Sequence, residues 1–393
     1  MTKPDLGVAM IGYAFMGAAH SQAWRTAPAF FDLPMRPRLR AVCGRDADAA
    51  GAVAGRFGWE SVETDWRDVL ERDDIHLVDI CTPGDTHAEI AVAALEAGKH
   101  VLCEKPLANT VAEAEKMAAA AREAAGRGVR SMVGFTYRRT PAVALARRLV
   151  EEGAVGTVRH VRAQYLQDWL VDEDAPMSWR LDKAKAGSGA LGDIGAHIVD
   201  MAQYVTGDPV VSVAGVMETF VTSRPVAGEH ATLGGSSSGA GERADVTVDD
   251  AAAFTARFAS GALGVFEATR FATGRKNALR LEVNGSHGSI AFDFEDMNVL
   301  EYFDARSSST TAGFRRILAT EADHPYVAAW WPPGHGLGYE HGFTHQVVDL
   351  VTAIADDTDP RPSFDDGLAV QRVLAAVEDS SAAATTRTVE DQR

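Results

Sequence analysis

Two side-chain patterns in this chain have the makings of acid–base chemistry: a lysine at the end of an apolar run, and a carboxylate four residues before an imidazole. The lysine is Lys105 in Val101-Leu102-Cys103-Glu104-Lys105-Pro106-Leu107-Ala108, where Pro106, with its fixed φ, prevents the strand from continuing. In an open α/β sheet the carboxyl ends of the strands open on the ligand crevice, so Lys105 is expected at the reactive edge of whatever binds there. An ordinary solvated lysine is the alternative. The second pattern is Asp193 and His197 in Leu191-Gly192-Asp193-Ile194-Gly195-Ala196-His197-Ile198-Val199-Asp200. Spaced by four on a helix, they share one face a turn apart. A carboxylate so placed can orient an imidazole, set its tautomer and raise its basicity. A purely structural pair, with Asp193 favoured by the helix dipole, is the alternative. The lead-in Gly187-Ser188-Gly189-Ala190 favours function, because it lets another segment approach.

The elements that must position these groups follow from periodicity. From Leu6 an apolar strand runs into Gly12-Tyr13-Ala14-Phe15-Met16-Gly17 and then a helix through Ala18 to Trp24, the order of a dinucleotide fingerprint. Ala14 stands where that fingerprint has its second glycine, whose role is to let the backbone approach a pyrophosphate. After a proline-rich insertion (Pro28, Pro34, Pro37) a second strand, Leu39 to Cys43, ends in Gly44-Arg45-Asp46. A carboxylate at this strand end takes the ribose hydroxyls of NAD and an arginine accommodates the phosphate of NADP. Both types are present, and Asp46 also fits the N-cap of a helix Ala47 to Phe57. The reading here is NAD, with NADP possible.

Further strands at Ile75–Cys81, at the Lys105 stretch and at Val129–Phe135 alternate with helices, which predicts βαβ units and a parallel sheet. Residues 1–135 are therefore expected to form a doubly wound Rossmann domain. Beyond Phe135 come two helices, Pro141 to Glu152 and Leu191 to Tyr204, around a strand Val158 to Gln167. Alternating runs follow at Val210–Thr222, Asp249–Phe258, Ala262–Ala268, Ala278–Asn284 and Gly288–Asp293, punctuated by hairpin turns. Residues 136–393 are thus expected to form an α+β domain with a large open, mainly antiparallel sheet. Late helices are placed at Tyr339–Ala355 and Asp366–Glu378, a low-complexity loop at Gly234–Gly239, and a flexible tail after about residue 380.

Composition narrows the function classes. A formal charge of −17 argues against nucleic-acid binding, which gathers Lys and Arg on one face. Three cysteines, Cys43, Cys81 and Cys103, form no disulfide framework or metal-ribbon spacing, so a reducing compartment, the cytoplasm, is expected. No apolar run is long enough to span a membrane. His341 and His345 have the spacing of a metal pair, but no third ligand accompanies them, so no metal is expected and pocket lining or a subunit contact is the favoured role.

Taken together, Gly12 to Gly17, Cys81-Thr82-Pro83 with His87, Glu104-Lys105-Pro106 and Gly192-Asp193-Ile194-Gly195-Ala196-His197 resemble, in content and order, the Gfo/Idh/MocA oxidoreductases. The turn Gly12–Gly17 and Gly134-Phe135-Thr136-Tyr137-Arg138-Arg139 look most like the levoglucosan and inositol dehydrogenase branch. The resemblance implies that Lys105, Asp193 and His197 form the catalytic group, with His197 as base toward a substrate hydroxyl and Lys105 touching cofactor and substrate. It also implies that Thr82, Pro83, His87 and Glu104 line the nicotinamide end of the cofactor. Tyr137, Arg138, Gln164, Tyr165, Trp169, Trp179, Arg180 and His345 are further candidates for substrate contact, since aromatic faces and hydrogen-bond donors suit a polyhydroxylated ring. Each could equally be core or a subunit contact.

The expected activity is NAD-dependent oxidation of a secondary hydroxyl of a sugar, anhydrosugar or inositol, in a homo-oligomer, dimer or tetramer. An NADPH-dependent keto- or aldo-sugar reductase, for which Arg45 speaks, and a non-catalytic dinucleotide-binding protein are the alternatives.

Overall fold

The computed structural model describes residues 3–226 and 242–389, and it divides into two compact units, residues 1–140 with 326–369 and residues 141–325 with 370–393. The loop expected at Gly234–Gly239 lies outside the described residues.

The first unit is built on a parallel sheet. Its elements in order are β1 (Asp5–Ile11), α1 (Phe15–Phe30), β2 (Arg36–Cys43), α2 (Ala47–Phe57), β3 (Ser61–Glu63), α3 (Trp66–Leu70), β4 (Leu77–Ile80), α4 (His87–Glu96), β5 (His100–Cys103), α5 (Val111–Ala125) and β6 (Ser131–Val133). The strand order is β3-β2-β1-β4-β5-β6, so the winding reverses between β1 and β4. Strands of such a sheet are covered on both faces and read as continuous apolar runs, as β1 does from Leu6 to Ile11. Helix ends are set locally. Asp46 Oδ1 accepts from the Asp48 and Ala49 amides to cap α2, and Thr110 with Glu113 forms a capping box for α5.

Two of the three prolines read as an insertion lie inside elements: Pro28 in α1 and Pro37 in β2. The outer neighbour β3 pairs only with Ala41–Cys43, so Pro37 sits where β2 has no partner on that side and needs no amide hydrogen. The strand β3 and helix α3 carry too little periodicity to be expected.

By compactness this unit runs past residue 135 to residue 140 and takes in residues 326–369. The segment 326–369 belongs to this unit because Phe343, Val347, Leu350 and Val351 of the helix Tyr339–Ala355 join one apolar core with Leu6, Val8 and Trp24. Arg139 reaches Asp349 at 2.7 Å, and Arg130 reaches Asp357 at 2.5 Å and Asp359 at 2.6 Å. Contacts across two hundred residues leave no local pattern.

The second unit carries β7 (Val158–Leu166), β8 (Val210–Glu218), β9 (Ser223–Pro225), β10 (Arg243–Asp245), β11 (Ala251–Phe258), β12 (Leu263–Thr269), β13 (Ala278–Gly285), β14 (Gly288–Asp293), β15 (Val299–Asp304), β16 (Arg315–Leu318) and β17 (Arg387–Thr388). Nine of these form one sheet in the order β16-β15-β14-β13-β7-β12-β11-β8-β17. Its pairings are antiparallel except β7 with β12, so the sheet is mixed and mainly antiparallel. Strict alternation in β11 marks a sheet covered on one face and open on the other. The tail read as flexible is ordered to Val389: the helix Phe364–Ala383 presents Ser380 and Ser381 to the Gly215 and Met217 amides, and β17 then pairs with β8. Among the described residues no helix is long and apolar enough to cross a membrane.

His345 reports on the packing of the first unit. It is fully buried, accepts from the Trp330 indole at 2.8 Å through Nε2, and therefore donates from Nδ1 to the Arg139 carbonyl at 3.0 Å. Burial holds its pKa down at about 3, against an ordinary 6.5. Between those values the unfolded chain binds a proton that the folded one refuses, so stability falls as pH drops, by up to about 1.4 kcal/mol per pH unit. The variant His345→Gln should be less stable than wild type at pH 7 yet lose less stability between pH 6.5 and 4. Urea unfolding across that range checks this, and an unchanged slope refutes it.

Candidate functional site

In the first unit the carboxyl ends of β1, β4 and β5 converge on one edge at the switch point. Gly12 has φ +98°, and a Cβ there would stand 2.7 Å from the Cys81 carbonyl group. At Gly17 a Cβ would lie 2.1 Å from the Gly12 oxygen, so both outer glycines of the turn are required by close backbone packing. Helix α1 starts at Phe15 with no side-chain cap and no acidic residue in its first turn. Its free amides and dipole form an anion site, and Ala14 leaves the approach open with only a methyl group. These features fit the pyrophosphate of a dinucleotide.

At the end of β2, Gly44 has no side chain because the Tyr13 ring lies 2.0 Å from where a Cβ would be. Arg45 is exposed, and Asp46 uses one carboxylate oxygen to cap α2.

Beneath the Lys105 loop lies a buried polar chain that the sequence reading does not single out. His20 Nδ1 is 2.9 Å from Asp79 Oδ1, and its Nε2 is 3.0 Å from Glu104 Oε1. The Trp24 indole donates to Asp79 at 2.7 Å. Glu104 Oε2 accepts from the Lys105 amide at 3.3 Å, so the chain ends on the catalytic candidate's own backbone. Lys105 itself is half-buried. A legible signal exists in retrospect: Asp79 interrupts the apolar strand Leu77-Val78-Asp79-Ile80, and a carboxylate there demands a partner.

In the second unit the segment bearing Asp193 and His197 is not a uniform α-helix. Leu191–Gly195 form a wide π turn that passes into the α-helix Ala196–Thr206. From Gly189 to Ala202, Asp193 and His197 are the two residues that are not buried, so the pair does share one open face. The turn is held from below by Asp249, which accepts from the Gly189 amide at 2.6 Å and the Leu191 amide at 2.8 Å. Burial pushes the Asp249 carboxyl up, opposed by those amides and by Arg270. Arg270, fully buried, donates to the Asp249 carbonyl at 2.9 Å and lies 3.9 Å from Asp193 Oδ2. Tyr165 packs its ring 5.9 Å from that of His197 and donates to Asn277 at 2.6 Å. Asp249 and Arg270 escape sequence reasoning because each sits at the edge of a strand, where charge is unremarkable.

Several of the residues expected at the substrate or cofactor have other partners in the fold. Arg138 is buried 3.6 Å from Asp366, and His345 has both nitrogens engaged, so each is a packing residue of the first unit. His87 is buried between the carbonyls of Thr82 and Pro106, where it braces two loops. The hydrogen bonds of His345 also remove it from any metal pair with His341. Gln164 alternates with Tyr165 along β7 and bonds Glu267 at 2.9 Å on the open face, opposite the face that carries His197. Tyr137 is the one residue between 132 and 140 that is not buried, and Arg180 stacks 4.5 Å over Trp179 at a half-exposed position. The three cysteines are buried free thiols, and burial raises Cys43 to about 12.

Comparison with known proteins gives two family profiles: residues 6–135 match "Oxidoreductase family, NAD-binding Rossmann fold" and residues 143–291 match "GFO/IDH/MocA C-terminal domain". A levoglucosan dehydrogenase of Pseudarthrobacter phenanthrenivorans is 43% identical over 381 residues, covering 96% of each chain. Among solved structures, an oxidoreductase domain protein from Kribbella flavida is 69% identical with a TM-score of 0.94, covering 99% of this chain and 100% of that one. A levoglucosan dehydrogenase complex with NADH and levoglucosan is 41% identical with a TM-score of 0.92, covering 98% of this chain and 100% of that one.

Removing the Asp249 carboxylate leaves two buried amides without acceptors. Asp249→Ala should therefore cost about 2–5 kcal/mol in urea unfolding. A loss under about 1 kcal/mol would show that the π turn holds itself.

Proposed function

The chain belongs to the GFO/IDH/MocA oxidoreductases and is an NAD-binding Rossmann enzyme, and from that premise we propose that it oxidises a secondary hydroxyl of a sugar, anhydrosugar or cyclitol to a ketone. The observation that carries the reading is the pair Asp193 and His197, the only two residues of their buried segment to reach a surface, in a chain similar to a levoglucosan dehydrogenase.

NAD supplies the hydride acceptor when bound. The hydroxyl proton has to leave as the hydride does, so a base is required within hydrogen-bond reach. We assign that base to His197. Asp193 orients its imidazole and is itself steadied by Arg270. Lys105, at the end of β5, holds the developing alkoxide. Tyr137, Trp179 and Arg180 are assigned to the sugar ring, since each is half-exposed in its own unit.

A homo-oligomer, dimer or tetramer, is part of the proposal. The open sheet face mixes apolar groups such as Leu263 and Val265 with internally matched charges, Arg162 with Glu282 at 3.1 Å and Arg280 with Asp293 at 2.7 Å, the composition of a surface that packs on its own copy. A cytoplasmic location is supported by the three free thiols. The exposed Arg45 favours NADPH as a second reading, with reduction of a keto- or aldo-sugar.

Steady-state kinetics with a panel of anhydrosugars and cyclitols tests the assignment. Lys105→Ala and His197→Ala should each lower kcat by about 10²–10⁴ while leaving NADH affinity within roughly threefold. Near wild-type turnover in both would sink it. In fluorescence titration NADH should bind more tightly than NADPH, and the reverse order would shift the reading to the reductase.

A further inference from the structure

The chain of buried groups under the Lys105 loop has no role in the mechanism above. It is nonetheless a set of three ionisable side chains shut away from water: Asp79 is 0%, His20 1% and Glu104 4% exposed. Each nitrogen of the His20 ring faces a carboxyl oxygen within 3.0 Å, an arrangement in which an imidazolium donates at both ends to two carboxylates. Burial works most strongly against that charge, but the attraction and hydrogen bonds of Asp79 and Cys81 together keep the ring's pKa well above its ordinary value. With both nitrogens hydrogen-bonded there is no lone pair for a metal, although Cys81 lies close to Asp79. One cation between two anions leaves a single net negative charge, shielded from water. Glu104 is fixed there from three sides: by His20, by the Lys105 amide, and by Gly134, where a Cβ would stand 2.7 Å from Oε1.

In the strand order β3-β2-β1-β4-β5-β6 a dinucleotide crosses the switch point, with its adenosine ribose read at the end of β2. The nicotinamide half then belongs to the side of β4, which carries Asp79 within it, and of β5, which Glu104 directly follows. Oxidised nicotinamide is a cation and the reduced ring is neutral. We propose that His20 and Glu104 are positioning residues whose buried net-negative cluster with Asp79 discriminates between cofactor redox states, favouring NAD⁺ over NADH at this enzyme. The inference rests on the NAD reading above and not on the identity of the sugar.

The test compares dissociation constants for NAD⁺ and NADH, by calorimetry on the full chain, in wild type, Glu104→Gln and Glu104→Asp. Asp79 keeps the His20 ring charged in Glu104→Gln, so the cluster becomes neutral. The ratio of the NAD⁺ to the NADH dissociation constant should rise roughly tenfold in that variant, as expected for one charge lost at intermediate dielectric. Lys105 is present in every variant, so its own charge cancels. Glu104→Asp keeps the charge and disturbs the geometry; it should weaken both forms while leaving the ratio near wild type. A purely structural role would move both constants together in Glu104→Gln, and that result overturns the proposal. Should that variant not fold, ¹⁵N shifts of the His20 ring in wild type decide: a doubly protonated ring at pH 7 supports the charge count and a neutral one defeats it. A shifted ratio with no sugar oxidised would remove the substrate assignment alone, whereas a wild type that binds neither cofactor form removes both readings.

Discussion

A carboxylate in the middle of a parallel strand, covered on both faces, has to be matched by donors or it would cost the unit several kcal/mol. Asp79 is such a group, and much of the first unit is arranged around its partners. The indole of Trp24 and the ring of His20 both come from α1, so the helix that follows the glycine turn is registered against β4 by two hydrogen bonds as well as by apolar packing. His20 in turn reaches Glu104 at the end of β5. Three adjacent pieces of the sheet edge are thereby tied by polar contacts whose geometry tolerates little slippage.

The second unit meets the equivalent demand differently. Of its candidate pair, Asp193 sits on a π turn and His197 on the helix that continues it, and a π turn is a backbone form found mostly as a single turn within a helix. Asp249 supports the turn from the neighbouring loop, and Gly189 is bare because a Cβ there would lie 1.8 Å from the Asp249 carbonyl oxygen. Arg270 sits behind the turn, facing Asp193 and the Asp249 carbonyl, so the carboxylate proposed to orient the imidazole is itself held electrostatically.

The legible part of the fold is the part written in local pattern. The helices Ala47–Phe57 and Tyr339–Ala355 and the strand Gly288–Asp293 have the bounds that periodicity and, for Ala47–Phe57, capping predict. The illegible part is written in long-range pairing. Nothing near Phe343 or Val347 says that their helix packs with β1, and nothing near β7 says that its neighbour β12 runs parallel to it. The site divides the same way. Lys105, Asp193 and His197 stand out by position and spacing. Arg138 and His345 are chemically suitable side chains whose burial against Asp366 and Trp330 only the folded chain reveals. Gln164 fails through the two-residue period of a strand, which puts it and Tyr165 on opposite faces.

The contact between Tyr13 and Gly44 restricts which neighbouring sequences this protein can reach by single steps. An acidic side chain at position 44 needs a Cβ where two ring carbons of Tyr13 already stand, at 2.0 and 2.2 Å. The tyrosine must shrink or move first, and its loss by itself uncovers the end of β2 with nothing in its place. Positions 13 and 44 therefore form an epistatic pair, so a lineage seeking a carboxylate at that strand end has to change the two together or pass through an impaired intermediate.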